Sequence, residues 1–224
     1  SDLIRQPKQR IKTGEKLTII GFKQLISILK EIRKYPKTLL FLIAYLLYND
    51  GVHTIIVISS TFGQEELGLS IGFLTKLILM IQFVAFFGAL LFNFISQKTE
   101  TKTSIIIMLF IWITILLYSY LFLNSSLEFF ILSIIIALVL GGIQALSRSL
   151  YSKLIPKGKE AEYFSLYEIS DRGTSWLGPF IFGLTYQLTS SYRLAILSLI
   201  IFFVAGLILI FKLNVKKAID EVNL

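Results

Sequence analysis

The sequence has no cysteine, a single histidine and few charged residues, and each shortage excludes a class of site. Without cysteine there is no disulfide, no thiolate metal site and no cysteine nucleophile. One histidine and the lack of any repeated aspartate motif leave too few ligands and nucleophiles for a membrane-embedded enzyme. We therefore expect neither enzyme activity nor a metal or other cofactor.

Apolar residues are abundant instead. They make up 55% of the 224 residues, charged residues make up 16%, and the mean hydropathy is +0.76. Usual values are about 45–50% apolar and about 25% charged. So few polar side chains cannot cover a soluble surface of this size. Intrinsic disorder, collagen and coiled coil are excluded by the same numbers. The composition indicates an integral membrane protein.

The apolar residues form six stretches, each long enough to cross roughly 30 Å of hydrocarbon as a helix. We predict an all-α membrane protein with spans at about 38–62, 70–95, 103–123, 129–152, 163–189 and 193–212. Residues 1–37 are predicted to form a basic cytoplasmic linker with an amphipathic helix, whose apolar stripe is Phe22, Leu25, Ile26, Leu29 and Ile32. Residues 213–224 are predicted to be a cytoplasmic tail.

The net charge of +8 reflects membrane topology. Loops that contain lysine alternate with loops that have little or no basic charge, and ten of the 22 basic residues precede residue 38. Cytoplasmic loops carry the excess of lysine and arginine. We therefore expect a multi-pass protein of the bacterial inner membrane with both termini cytoplasmic, surrounded by the lipid bilayer and without a nucleic-acid partner.

Four of the six predicted spans carry polar groups at membrane depth. A charge there costs at least about 2.5–3.5 kcal/mol, so it normally faces protein or water and has a partner. We expect a polar cavity lined by spans one, two, four and five, with the uncharged third and sixth spans facing lipid. The candidate residues for a substrate or proton pathway are Asp50, Asn49 and His53 in span one, Gln144 and Arg148 in span four, and Glu168, Asp171 and Arg172 in span five.

Structural explanations remain open for several of these residues. Glu168 and Arg172 have the i, i+4 spacing of an ion pair that merely joins helices. His53 has the alternative role of a packed hydrogen-bond partner. Asp50, near the middle of the membrane, is the first candidate for binding a proton or a substrate ammonium group.

Two further patterns concern helix packing. A stripe of small residues at i+4 spacing in span four predicts close approach of another helix: Ser133, Ala137, Gly141, Ala145 and Ser149. In span five, Gly178 and Pro179 predict a kinked or loosened helix, because proline removes a backbone hydrogen bond.

The order of polar and apolar spans repeats. Spans one to three run polar, polar, apolar, and spans four to six follow the same order. Because each unit crosses the membrane three times, an odd number, the second unit is inverted relative to the first. This pattern predicts a 3+3 inverted repeat, the organisation of one six-helix half of a secondary transporter.

Several segments of the sequence form a recognisable set: residues 48–51 (YNDG), 82–85 (QFVA), 141–149 (GGIQALSRS), 154–164 (LIPKGKEAEYF) and the continuation to 179. Together they resemble the vacuole-effluxer (autophagy-related amino-acid effluxer) family of the major facilitator superfamily. The resemblance implies alternating-access transport of a small solute, with amino acids among the candidates, between two six-helix bundles. It implies that this chain is the second half of a twelve-span protein, with residues 1–37 joining the halves. One departure is Gln97, which stands where the superfamily has an acid.

The hypothesis is thus a proton- or gradient-coupled transporter half. In it, Asp50 binds a proton or an ammonium group, and Gln144 and Asn49 offer neutral hydrogen bonds. Arg172, held by Glu168 or Asp171, meets a substrate carboxylate or acts as a switching ion pair. The partner bundle is either an N-terminal half of the same protein or a second copy. The alternatives are a non-transporting scaffold or degenerate half and, less favoured, a lipid-modifying enzyme.

Overall fold

The computed structural model describes residues 30–173 and 175–223, with side chains omitted at 170–173. Most of the basic linker, with the first four residues of the predicted apolar stripe, lies outside this described part, whereas Ile32 of that stripe is described and buried. Within it, a short 3-10 turn (Ile32–Lys34) precedes nine α-helices and there is no β-strand. The helices are α1 (Pro36–Leu67), α2 (Ile71–Thr99), α3 (Thr101–Leu121), α4 (Ser126–Ser152), α5 (Glu160–Gly173), α6 (Leu177–Thr189), α7 (Tyr192–Ser198), α8 (Ile200–Lys212) and α9 (Val215–Asn223).

Five segments of the described part are long and apolar enough to cross a membrane. They are α1, α2, α3, α4 and the segment Tyr192–Lys212, which consists of α7 and α8 joined by a turn at Leu199. The molecule is therefore a multi-pass integral membrane protein.

The helix ends have local sequence causes. Pro36 opens α1 at a position where its missing N–H is not needed, and Gly68 ends α1 with a φ of 62°. Ser70 caps α2 and Ser191 caps α7 through their hydroxyl groups. The start of α4 is a capping box, in which Ser125 and Glu128 each satisfy a backbone N–H.

The predicted fifth span at 163–189 contains two helices, α5 and α6, with Ser175 and Trp176 in a turn between them. Pro179 is the third residue of α6, so its missing N–H falls among groups that have no intrahelical partner anyway. The kink predicted from Gly178 and Pro179 is thus a complete break, placed about one turn earlier, where the proline ring would otherwise meet the carbonyl of residue 175.

The closest helix pair is α2 against α4. An added Cβ on Gly88 would lie 2.1 Å from the carbonyl oxygen of Leu138, and one on Gly141 would lie 1.8 Å from that of Ala85. Only glycine allows the two backbones to approach this far. Gly141 belongs to the small-residue stripe of the sequence, so the stripe marks a contact with α2.

The uncharged spans do not simply face lipid. Trp112 of α3 and Phe203 of α8 are fully buried and stack with ring centroids 5.4 Å apart, and α8 packs against α1 through Gly206 beside Tyr48. The predicted third and sixth spans thus pack one face against the bundle and leave apolar residues exposed on the other, such as Phe110 and Ile201. The most exposed span is α2, which presents a row of phenylalanines: Phe83, Phe86, Phe87 and Phe94.

Candidate functional site

Asp50 lies in the middle of α1 and is almost completely enclosed, with 2% of its surface exposed. Its Oδ2 atom accepts a hydrogen bond of 2.6 Å from the backbone N–H of Gly178. Gly178 is the second residue of α6, where the backbone N–H has no partner within the helix. The positive end of the helix dipole favours a carboxylate at this place. The break in the fifth span therefore provides the partner for the charge in the first.

The contact between α1 and α6 requires glycine at position 178. An added Cβ would lie 2.0 Å from Thr54 Oγ1 and 3.2 Å from Asp50 Oδ2. Thr54 is itself fixed, because its hydroxyl donates a 2.7 Å hydrogen bond to the backbone oxygen of Asp50. The start of α6 is thus seated directly on one turn of α1.

The second carboxylate oxygen of Asp50, Oδ1, is buried and has no hydrogen-bond partner among the described residues. Buried polar atoms are nearly always paired, and exceptions often belong to functional sites or to unobserved water or ions. Asn49 is buried and His53 is half-buried on neighbouring positions of α1, each engaged in interactions of its own. The arrangement offers a proton, a water molecule or a cation one available carboxylate oxygen beside a fixed one.

A second polar group joins α4 to α5. Arg148 Nη1 lies 3.6 Å from Glu168 Oε1, and the Arg148 guanidinium lies 5.5 Å from the centre of the Phe164 ring. Both charged side chains are well exposed, at 62% and 43%. Within the described part, the ion-pair partner of Glu168 is therefore Arg148. The predicted roles of Asp171 and Arg172 concern side chains that lie outside the described residues.

The structure separates the predicted site residues into two surroundings. Asp50 and Asn49 are enclosed within the bundle, whereas Gln144, Arg148 and Glu168 lie on its surface. Gln144 and Arg148 are one helical turn apart on the same exposed face of α4. An exposed arginine and glutamine in a membrane-spanning helix indicate a surface that faces water or protein.

Tyrosines that the sequence analysis did not single out pack between α1, α4 and α5. The rings of Tyr45 and Tyr167 stack at 4.2 Å, and Tyr151 stacks on Tyr167 at 5.0 Å. The Tyr48 hydroxyl is 2.6 Å from Ser147 Oγ, one position before Arg148. This cluster positions α5, and with it Glu168, against the rest of the bundle. In the sequence, Tyr45 and Tyr48 stand one helical turn apart just before Asp50, but neither carries a charge that would indicate a polar site.

Arg193, at the start of α7, binds the ends of α1 and α3 and the loop before α4. Its Nε donates to Glu66 Oε2 at 3.2 Å, and Nη1 donates to the backbone oxygen of Tyr120 at 3.3 Å. Nη2 donates to the backbone oxygen of Leu123 at 2.6 Å and to Asn124 Oδ1 at 3.0 Å. The rigid five-donor guanidinium suits this role. Arg193 was not among the site residues predicted from the sequence.

Ion pairs also join separate segments on the side where α1 begins. Lys159 pairs with Glu31, and Lys37 at the start of α1 pairs with Glu221 of α9. The hydrogen bond to Glu31 raises the pKa of Lys159, so this lysine keeps its charge. The pair between Lys37 and Glu221 holds the predicted C-terminal tail, as helix α9, against the start of α1, and the pair between Lys159 and Glu31 holds the loop before α5 against the segment before α1.

No group of three or more histidine, cysteine, aspartate or glutamate side chains is arranged to hold a metal ion within residues 30–173 and 175–223.

Comparison with known proteins finds similarity along nearly the whole chain. The family described as "Vacuole effluxer Atg22 like" matches residues 3–223. The "Uncharacterized MFS-type transporter YxiO" of Bacillus subtilis is 36% identical over 93% of this chain and 49% of its own length. The "Autophagy-related protein 22" of Kluyveromyces lactis is 31% identical over 90% of this chain and 43% of its own length. The same-named protein of Saccharomyces cerevisiae is 30% identical over 89% and 39%.

The chain spans half or less of the length of these relatives. The names of the family and of the bacterial relative describe membrane transporters and effluxers, not enzymes.

Proposed function

This chain belongs to the vacuole effluxer Atg22-like family, and from that premise we propose that it is one six-helix half of a secondary transporter that moves a small solute by alternating access. In such a half, two three-span units are inverted relative to each other and discontinuous helices line the binding site. The break between α5 and α6 supports this organisation, with α5 and α6 together forming the fifth crossing.

The contact between Asp50 and Gly178 is the observation that carries the proposal. A carboxylate enclosed in the first span holds the start of the broken fifth span by one hydrogen bond. Protonation removes the negative charge and weakens the attraction to the helix end. Uptake of a proton by Asp50 therefore loosens α6 from α1, which is the coupling step that we assign to this protein.

The exposed polar and apolar faces support a second six-helix bundle as partner. Gln144 and Arg148 require contact with water or protein, and α6 presents Phe180 and Leu184 on its surface. The bacterial relative is about twice as long as this chain, which leaves room for a second bundle in its sequence. In our proposal the partner is the N-terminal half of the same protein or, failing that, a second copy.

The substrate class that we propose is a zwitterionic amino acid. The exposed guanidinium of Arg148 suits the carboxylate of such a substrate, because it offers two parallel donors. Gln144 adds neutral hydrogen bonds on the same face as Arg148. We place the protein in the bacterial inner membrane with both termini cytoplasmic, following the distribution of lysine and arginine.

The test is solute flux in vesicles that contain the purified full-length protein. Labelled neutral amino acids are offered with and without an imposed pH gradient, and wild type is compared with Asp50→Asn. The substitution keeps the size of the side chain and removes the proton site, so we expect gradient-driven transport to be lost. Asp220→Asn is the matched control, because it makes the same chemical change on the exposed face of α9. Unchanged flux and pH dependence in Asp50→Asn would exclude the proposed role of Asp50.

A further inference from the structure

A groove of about 570 Å³ runs between α3 and α4 on the outside of the bundle. Its volume lies in the range of roughly 300–1,000 Å³ typical of ligand sites. The lining is almost entirely apolar, with polar groups contributed by Thr114, Tyr118 and Glu128. The apolar lining residues are Ile107, Phe110, Ile111, Ile115, Ile131, Leu132 and Ile135.

The groove has the length of one membrane leaflet. Its α3 side runs from Ile107 to Tyr118, eleven positions along the helix, or roughly 16 Å at about 1.5 Å per residue. Half of the hydrocarbon thickness is about 15 Å. The groove therefore extends from one membrane surface to near the middle of the bilayer.

Glu128 marks the end of the groove that lies at the membrane surface. It stands in the first turn of α4, and its Oε2 accepts the backbone N–H groups of Asn124 at 2.8 Å and Ser125 at 3.1 Å. These bonds fix the carboxylate in place. Tyr118 and Tyr120 lie near the same end of α3, where the aromatic residues of membrane proteins collect at headgroup level.

The groove faces away from the polar surface of α4. At about 100° per residue, the other three α4 residues of the groove (131, 132 and 135) lie within about 60° of Glu128 around the helix axis. Gln144 and Arg148 lie about 160° and 200° from Glu128 on the same helical wheel. If that polar surface faces water or a second bundle, the groove faces lipid.

We propose that this groove is a specific phospholipid site, which takes one acyl chain between α3 and α4 and pairs the headgroup ammonium of phosphatidylethanolamine with Glu128. Hydrocarbon is the solvent at this surface and fills the apolar lining. The fixed carboxylate at the headgroup level selects a lipid with a primary ammonium, which donates hydrogen bonds to it. The quaternary ammonium of phosphatidylcholine has no N–H to donate, and phosphatidylglycerol has no cation.

The test uses native mass spectrometry of the full-length protein, purified after exchange into vesicles of either phosphatidylethanolamine or phosphatidylcholine, each mixed with phosphatidylglycerol. We expect the wild type to retain phosphatidylethanolamine about threefold more than phosphatidylcholine, the size of effect that an exposed ion pair gives. Glu128→Gln should abolish this preference while keeping the helix cap, because glutamine also serves in a capping box.

Filling the groove should remove the lipid altogether. Thr114→Trp places a large ring in the groove, whereas Leu117→Trp puts the same ring on an exposed α3 position outside its lining. We expect the first variant to lose the retained lipid and the second to keep it. Equal retention of the two lipids by the wild type, or an unchanged preference in Glu128→Gln, overturns the proposal.

Another occupant would also be detected. The chain has no cysteine, so a cysteine introduced at Thr114 is a unique cross-linking site within it. Efficient cross-linking from this position to another protein segment would show a protein interface and overturn the lipid assignment. Loss of transport in Asp50→Asn has no bearing on this result, so the lipid site and the proposed function fail independently.

Discussion

Replacing Gly178 with alanine perturbs the contact between α1 and α6 most locally. The new Cβ would lie 2.0 Å from Thr54 Oγ1 and 2.9 Å from Thr54 Cβ, so one of the two helices has to shift. Overpacking of this kind costs typically about 1–3 kcal/mol. The shift also lengthens the 2.6 Å hydrogen bond to Asp50, and a bond to a charged group contributes about 1.5–3 kcal/mol. We therefore expect Gly178→Ala to lower the free energy of unfolding by roughly 2–4 kcal/mol.

Thermal unfolding of the full-length protein in detergent measures this loss as a lower unfolding temperature. Gly183→Ala is the matched control on the same helix, because nothing lies within 4 Å of its added Cβ. In a helix, alanine is more favourable than glycine by about 1 kcal/mol, so this control should not destabilise. Thr54→Ala removes the nearest atom, and adding it to Gly178→Ala should recover part of the stability. A Gly178→Ala protein as stable as wild type would refute the geometry.

Three further predictions concern other contacts. Gly141→Ala places a Cβ 1.8 Å from the backbone oxygen of Ala85, which cannot move alone, so the unfolding temperature should fall, whereas Gly72→Ala, with open space around it, should leave that temperature unchanged. Arg193→Lys should lower the free energy of unfolding by about 1–2 kcal/mol, because one ammonium cannot replace the four bonds of the guanidinium, and Lys217→Arg at an exposed position should not. Arg148→Met should change stability by less than about 1 kcal/mol, since its ion pair with Glu168 is exposed, and should nevertheless abolish flux; full transport activity would contradict its role in binding.

Asp50 could be predicted as a site residue from the sequence, because a carboxylate in the middle of an apolar span has a high free-energy cost and usually has a function. Its partner was not, because the Gly178 N–H is available only where the fifth span breaks, and the position of that break depends on packing against α1. From the sequence, Gly178 and Pro179 predict a kinked or loosened helix, and the structure has the interruption just before them.

Arg148 and Glu168 were likewise identified as charged residues at depth, but the ion pair between them was not. Local spacing favours Arg172 as the partner of Glu168, because residues four apart on one helix are neighbours. The contact to Arg148 is made between two helices and depends on how the tyrosines of α1, α4 and α5 pack. Arg193 illustrates the same limit, since its four bonds reach segments 69 or more positions away along the chain.

The central claim is that the Asp50 carboxylate holds the start of α6 and that loss of its charge releases it. Hydrogen–deuterium exchange of the peptide that contains the Gly178 amide measures this directly in the full-length protein at a single pH. We predict about fivefold faster exchange at this amide in Asp50→Asn than in wild type, because a neutral acceptor contributes about 1 kcal/mol less than a charged one. Exchange in Asp220→Asn should match wild type. Equal protection of the Gly178 amide in Asp50→Asn and wild type would contradict the account.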